Sequence, residues 1–382
     1  MIREIEIENY KSIEKLTLNL GRVTVLIGEN GCGKSNILES IALASAAASN
    51  KLDNEFLVSR GIRVTDPQLM RSAFDSANLT EEIKIYLEGI SEDTKFECAI
   101  QNDNNPYSNW YINKETDIDE NTRNNILSQI ASRTSNLDEL PMNFLLSLQQ
   151  AKVQANKERI KMLGLDNFLI YSPENYILRA FEQEGQIQPL GINGAGLFKL
   201  LKVLSIDKEK INEIKQRLKI IGWFDNFEIA DDSQTLEKSL QIKDRYLDPN
   251  IDYFNQKSSN EGFLFLLFYF CLFISEDTPK FFAIDNIDAS LNPKLCSKLM
   301  VELVDLAKKY DKQVIFTTHN PAILDGLNLD DDEQRLFVIY RNKLGHTKAK
   351  RIFKPEPLEG QEPVKLSEAF LRGYIGGLPK NF

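Results

Sequence analysis

The feature that most constrains this chain is an eight-residue loop, Gly28-Glu29-Asn30-Gly31-Cys32-Gly33-Lys34-Ser35, which satisfies the spacing G-x-x-x-x-G-K-[ST]. Glycines at these places let the backbone curl without Cβ clashes, so that successive N–H groups face inward and cradle phosphate oxygens. The flanks are those the loop requires. Val23–Ile27 is a continuous apolar run rich in β-branched residues, as in a strand buried on both faces. From Lys34 to about Ala48 come helix formers, with Ile37, Leu38 and Ile41 at packing spacings. A helix starting near Gly33 adds its positive end to the loop. In that arrangement Asn30, Gly31, Cys32 and Gly33 offer backbone to the phosphates of a nucleotide. Lys34 reaches the β- and γ-phosphates, and Ser35 sits on Mg²⁺.

A second carboxylate completes the metal side. The apolar run Phe281–Ile284 ends in Asp285, placed to hold magnesium directly or through its water shell. The next residue, Asn286, can hydrogen-bond a water but cannot take its proton. Hydrolysis is therefore expected to be slow, or to fall to another group. Asp288 is the nearest carboxylate, and His319 is a second water-positioning candidate. The strand at 314–317 leads to His319, at the strand end where open α/β sheets bind their ligands, which favours contact with the γ-phosphate over an ordinary histidine. His346, in a hairpin turn, is expected to be exposed and passive. Ser259, Asn260 and Gly262 precede a long apolar helix. They read as ordinary caps, or as a phosphate-contacting patch built on the free N–H groups of a first turn.

The rest of the 382 residues alternates strand and helix patterns. Ile2, Ile5 and Ile7 alternate with charged residues, a second stretch spans 16–20, and 82–87 suits pairing with 95–100. Residues 102–123 read as a polar loop. Helical patterning covers 123–164 with a break near Pro141, and a further helical block covers 196–221. Short strands are expected near 168–170 and 240–242. The strands 281–284 and 314–317 flank a helix near 295–309, and a hairpin turns at 342–345. The expected fold class is α/β: a P-loop NTPase with a mostly parallel central sheet, an N-terminal antiparallel sheet and a helical inserted subdomain. The expected organisation is an N-terminal lobe at 1–100, a largely helical insertion at 101–235 and a C-terminal lobe at 236–382.

Composition excludes several classes. The most apolar stretch, 263–274, is far short of the ~20 residues that cross a bilayer. The opening residues lack an export leader, so a cytoplasmic protein without a membrane partner is expected. Cys32, Cys98, Cys271 and Cys296 form no C-x-x-C pair, which argues against a structural zinc site. The net charge of −10 weakens a wide nucleic-acid surface without excluding one. Two lysine clusters, at 199–215 and 343–354, read either as solvated faces or as contacts with a nucleic acid or an acidic partner.

Taken together, the motifs resemble the compact ABC-type ATPases of the SMC, RecF and OLD group. Ile5-Glu6-Ile7-Glu8-Asn9-Tyr10-Lys11-Ser12-Ile13 is similar to that group's first strand and turn. Residues 28–35 resemble its Walker A loop, and 281–285 its Walker B strand. Residues 288–293 resemble its D-loop, Thr318-His319-Asn320 its switch histidine, and 367–382, containing 373–379, the tail of compact members. The resemblance implies ATP, since no Asn-Lys-x-Asp guanine motif is present, and a homodimer that closes around two ATP molecules. Ser259, Asn260 and Gly262 would then form the signature loop that meets the γ-phosphate held by the other copy, although the spacing departs from the usual serine-x-glycine. Asn286 stands where such ATPases usually carry glutamate. Coiled-coil arms and a zinc hook are missing from the sequence, and too few residues follow His319 for an appended nuclease. The expected role is an ATP-gated dimeric switch for a separately encoded effector such as a nuclease, in antiphage defence. The alternatives are a RecF-like DNA-repair ATPase and a nucleotide-binding scaffold with negligible hydrolysis.

Overall fold

The N-terminal alternation becomes β1 (Ile2–Tyr10) and β2 (Ile13–Asn19), and the apolar run becomes β3 (Val23–Ile27). The structure is a computed structural model that describes residues 1–91, 94–113, 142–181, 189–231, 238–354 and 364–378. β4 (Ile83–Gly89), β5 (Lys95–Gln101) and β6 (Tyr111–Ile112) join the first two strands in an antiparallel sheet ordered β2-β1-β4-β5-β6. Its register places Ile5 opposite Leu18 and Leu87, and Ile7 opposite Leu16 and Ile85. Period-two alternation thus gathers the apolar side chains on one face, where they pack with Ile37, Leu38 and Ile41 of the helix Lys34–Ala48.

The central sheet adds β7 (Ile170–Tyr171), β11 (Phe281–Ile284), β12 (Gln313–Thr318), β13 (Gln334–Arg341) and β14 (Thr347–Ile352) to β3, in the order β14-β13-β3-β12-β11-β7. All neighbours are parallel except β14, which returns antiparallel to β13. Both faces are covered. Leu26, Ala283, Ile315 and Phe337 join the core of the helix Lys34–Ala48. Val25, Phe282, Phe316 and Val338 join that of the helices Glu261–Ile274 and Pro293–Lys309. This two-sided burial is why the strands read as unbroken apolar runs. Gln313, buried in β12, ties the two sheets together by accepting the Ile2 amide at 2.8 Å and donating to the carbonyls of Ile2 and Gly21.

The middle of the chain contributes the helices Met142–Leu163, Asn175–Ala180, Leu197–Ile206 and Lys208–Leu218. A small antiparallel sheet of β8 (Phe224–Asp231), β9 (Lys238–Asp244) and β10 (Phe254–Asn255) follows. The helical block expected at 196–221 is two helices. Asp207 breaks it, because its carboxylate accepts the amides of Glu209 (2.9 Å) and Lys210 (3.3 Å) and so caps a new start. The part of the helical expectation at 123–141, and of the polar loop beyond 113, lies outside the described residues. Every residue from Phe263 to Ile274 is buried, so the apolar stretch is a core helix. Among the described residues no helix is long and apolar enough to cross a membrane.

Candidate nucleotide and magnesium site

The parallel strands β3, β11 and β12 end side by side, which brings residues 28–35, 285–288 and 317–319 to one edge of the sheet. The loop needs its glycines for close approach as well as for curvature. A Cβ on Gly28 would lie 2.1 Å from the Ile339 carbonyl oxygen of β13. Gly33 has φ +106, and a Cβ there would lie 2.1 Å from Thr347 Oγ1 of β14. Thr347 supports the loop from beneath, donating to the Cys32 carbonyl at 2.9 Å, and its amide donates to the Ser12 carbonyl at 2.7 Å. The Cys32 side chain is buried, burial raises its thiol pKa, and its sulfur accepts from Lys34 Nζ at 3.8 Å, so toward a phosphate Cys32 offers its backbone. Gly31, with φ +74, has open space around it.

Lys34 is buried and its ammonium rests on the loop, donating to the carbonyls of Gly28 (2.9 Å) and Glu29 (3.0 Å). Desolvation lowers its pKa. Two of the three ammonium donors are spent on neutral carbonyls, and an anionic phosphate oxygen is the stronger partner for them. The side chain therefore has both the position and the incentive to turn outward onto a triphosphate.

Ser35 Oγ donates to Asp285 Oδ2 at 3.0 Å. Two oxygens on adjacent corners of an octahedral magnesium shell stand about 2.9 Å apart, from metal–oxygen distances of about 2.0–2.1 Å. The serine–carboxylate pair fits that edge. Among the described residues no group of three or more His, Cys, Asp or Glu side chains is arranged to hold a metal. One carboxylate and one hydroxyl suit an ion that takes its remaining oxygens from water and substrate phosphates.

Beyond Asp285 the chain turns sharply. Asn286 has φ +56 and Ser290 φ +60, left-handed conformations in which asparagine is among the better-tolerated residues. The Asn286 side chain is exposed. Asp288 accepts from Thr318 Oγ1 at 2.6 Å and from the His319 amide at 3.4 Å, so its carboxylate ties residues 286–291 to the end of β12. His319 Nδ1 lies 3.5 Å from Lys34 Nζ. His319 is exposed overall, and partial desolvation of its ring first, and the Lys34 charge second, lower its pKa, which favours a neutral imidazole able to accept a hydrogen bond. His346, expected to be exposed, is instead buried. Its ring meets Phe74 edge-on with centroids 5.5 Å apart, and its Nδ1 stands 3.0 Å from Glu14 Oε2, because the hairpin turn folds onto the N-terminal sheet.

Residues 259–262 lie elsewhere. Asn260 is exposed and caps the helix Glu261–Ile274 by accepting the Phe263 amide at 2.8 Å. Ser259 is buried, and its hydroxyl has no hydrogen-bond partner. Glu261 accepts from Asn175 (2.6 Å) and from Ser290 (2.7 Å), which joins the start of this helix to the turn after Asp285. Among the described residues no hydrogen bond links 259–262 to 28–35. The structure thus unites the phosphate loop, Asp285, Asn286, Asp288 and His319, and leaves Ser259, Asn260 and Gly262 unbonded to the loop, with Gly262 beside Ser290 of the turn.

Several participants escaped sequence reasoning. Thr317 and Thr347 reveal their tasks only through the register of β12 and β14, and Ser12 through the turn between β1 and β2 that meets Thr347. Glu39, buried in the helix after the loop, pairs with both Lys11 and Arg63. Part of the two lysine clusters is spent locally: Lys210 on Glu276, Lys354 on Asp330, and Arg351 on Asp332.

The fold is similar to that of solved SMC heads. One, an SMC head bound to the C-winged helix domain of ScpA, superimposes with a TM-score of 0.56 at 14% identity, covering 92% of this chain and 97% of that one. Another, an SMC head with an extended coiled coil bound to the C-terminal domain of ScpA from Pyrococcus furiosus, gives 0.50 at 12%, covering 92% and 96%. Fifty-five residues are 42% identical to the DNA replication and repair protein RecF of Bacillus thuringiensis (strain Al Hakam) and equally to that of Bacillus cereus (strain B4264). These matches span 14% of this chain and 15% of those proteins. Residues 23–325, most of the chain and including 28–35, 285–288 and 319, match the family described as "AAA domain, putative AbiEii toxin, Type IV TA system". A phosphate loop, a strand-end carboxylate and a neighbouring histidine on an SMC-like head are the parts of an ATP-binding P-loop NTPase, and the chain is a member of that AAA-domain family.

Proposed function

We propose that this protein is a magnesium-dependent, slowly hydrolysing ATPase that works as a nucleotide-gated homodimeric switch over a separately encoded effector, such as a nuclease, in antiphage defence. The observation that carries the reading is the convergence of Lys34, Ser35, Asp285 and His319 at the ends of β3, β11 and β12. Lys34 binds the phosphate tail, Ser35 and Asp285 hold magnesium, and His319 faces the γ-phosphate. Held there, magnesium would supply charge neutralisation for the phosphates. Asn286 and His319 orient water without a strong base, which keeps turnover slow.

Ser259, Asn260 and Gly262 lie apart from the loop of their own chain, which suits a role toward the nucleotide of a second copy. The exposed Asn260 and the half-buried Gly262 behind it are the groups available for it, and the buried, unpartnered Ser259 hydroxyl would join them by turning outward. The lobe 1–100 would bring the phosphate loop, and 236–382 the signature segment, Asp285, residues 288–293 and His319, with 101–235 as a helical insertion or lid. The family description names a toxin of a toxin–antitoxin system, and the SMC heads above were solved with a bound protein, which supports action through a partner. The RecF identity keeps a DNA-repair role as the second reading. Phosphate release at saturating magnesium-ATP decides the slow-switch element, since a rate of about 10 per second, an ordinary enzyme turnover, would overturn it. Nucleotide-dependent assembly with phosphate release at background would instead favour a scaffold.

A further inference from the structure

The carboxyl end of β12 holds more of the site than its histidine. Thr317 is fully buried beneath Asp285. Its Oγ1 donates to Asp285 Oδ1 in a short contact and accepts the Asn286 amide at 2.9 Å. Its carbonyl accepts the Ile287 amide at 3.1 Å. A hydroxyl has one proton to give and lone pairs to receive with, so this one is engaged in both senses, and β-branching restricts its χ1. The Asp285 carboxylate is thereby divided. Oδ1 takes the Thr317 hydroxyl and stands 3.3 Å from Ser35 Oγ, and Oδ2 lies nearer that serine, 3.0 Å away. The same hydroxyl anchors Asn286 at its left-handed φ of +56, where the chain leaves the strand.

We propose that Thr317 is a positioning residue for the divalent cation of the nucleotide complex, fixing the Asp285 carboxylate against Ser35 by holding Oδ1 and pinning the turn at Asn286. The inference rests on the reading of Asp285 as the metal carboxylate, and it adds a residue that never touches the metal. Valine at 317 keeps the shape and deletes the hydroxyl, freeing the carboxylate to rotate and leaving the Asn286 amide without its acceptor. Serine keeps the hydroxyl and relaxes χ1.

The test uses the full chain with a fluorescent ATP analogue, titrated first in EDTA and then with Mn²⁺, whose binding is read by electron paramagnetic resonance. Thr317→Val is expected to hold metal-free nucleotide within about twofold of wild type and to weaken Mn²⁺ about 10- to 100-fold, the usual effect of losing a hydrogen bond to a metal ligand. Thr317→Ser should stay within about threefold of wild type. Thr317→Ala serves as the second hydroxyl deletion and carries the same expectation as valine. Asp285→Asn separates the two ideas. Wild-type Mn²⁺ affinity in Asp285→Asn would sink the metal role of Asp285 itself. Loss in Asp285→Asn with wild-type affinity in Thr317→Val would sink the Thr317 proposal alone. Loss of metal-free nucleotide binding in the valine and alanine variants, or failure of both to fold, would mark Thr317 as a plain structural residue and equally overturn it.

Discussion

Replacing Asn286 with glutamate supplies the carboxylate that the position after Asp285 lacks, and the local structure sets what the change costs. The Asn286 side chain is exposed, so a charge there is not desolvated. Its amide bond to Thr317 belongs to the backbone and survives the substitution. The cost is conformational. With φ at +56 the residue is left-handed, a region that asparagine visits readily and that burdens most other L-residues by roughly 1–2 kcal/mol. Asn286→Glu should therefore melt a few degrees lower than wild type. A positioned general base is worth about 10²- to 10⁴-fold in rate, so phosphate release should rise by that order despite the lower stability. Asn286→Gln is the control, because it carries the same backbone burden without a base. Steady-state phosphate release at saturating magnesium-ATP, read beside a thermal melt, measures both effects. A glutamate variant as slow as the glutamine variant would refute the reasoning and place the base, or the slow step, elsewhere.

Two other outcomes follow from the same geometry. The chain has two histidines, so their ring protons are readily assigned. His319 should titrate below its ordinary 6.5 because partial desolvation and then the Lys34 charge lower its pKa, and Lys34→Met should move it upward. The sign for stability follows: a depressed histidine pKa leaves folding unpenalised above about pH 6.5 and costs stability as the pH falls below that value. A His319 midpoint unchanged by Lys34→Met would contradict the coupling. Ser259→Ala removes a buried hydroxyl without a partner and should stabilise the isolated chain to urea by about 1 kcal/mol. The same change should weaken ATP-driven association about tenfold or more, the worth of a hydrogen bond to a charged group. Unchanged association would remove Ser259 from the site.

How much of this could be read from the sequence depended on how local each signal was. The phosphate loop, its strand and its helix are contiguous, and glycine spacing reports backbone conformation directly, so that part was legible. Two-sided burial made β3, β11 and β12 readable as unbroken apolar runs. The helix break at Asp207 was missed because its cause is one side-chain cap within an otherwise helical pattern. The burial of His346 was missed because it depends on where a hairpin tip lands, against Phe74 and Glu14, far away in sequence. Thr317 and Thr347 were missed for a related reason. Threonine in a strand is ordinary, and only the register that sets Thr317 against Asp285, or Thr347 against Cys32, gives it a task.

The account stands or falls on whether nucleotide held by this loop brings two copies together. Light scattering on the purified full chain, with and without magnesium-ATP, should show the mass double for the wild type and stay single for Lys34→Ala. A wild type that binds ATP yet never changes mass, or a Lys34→Ala variant that doubles as readily, would contradict it.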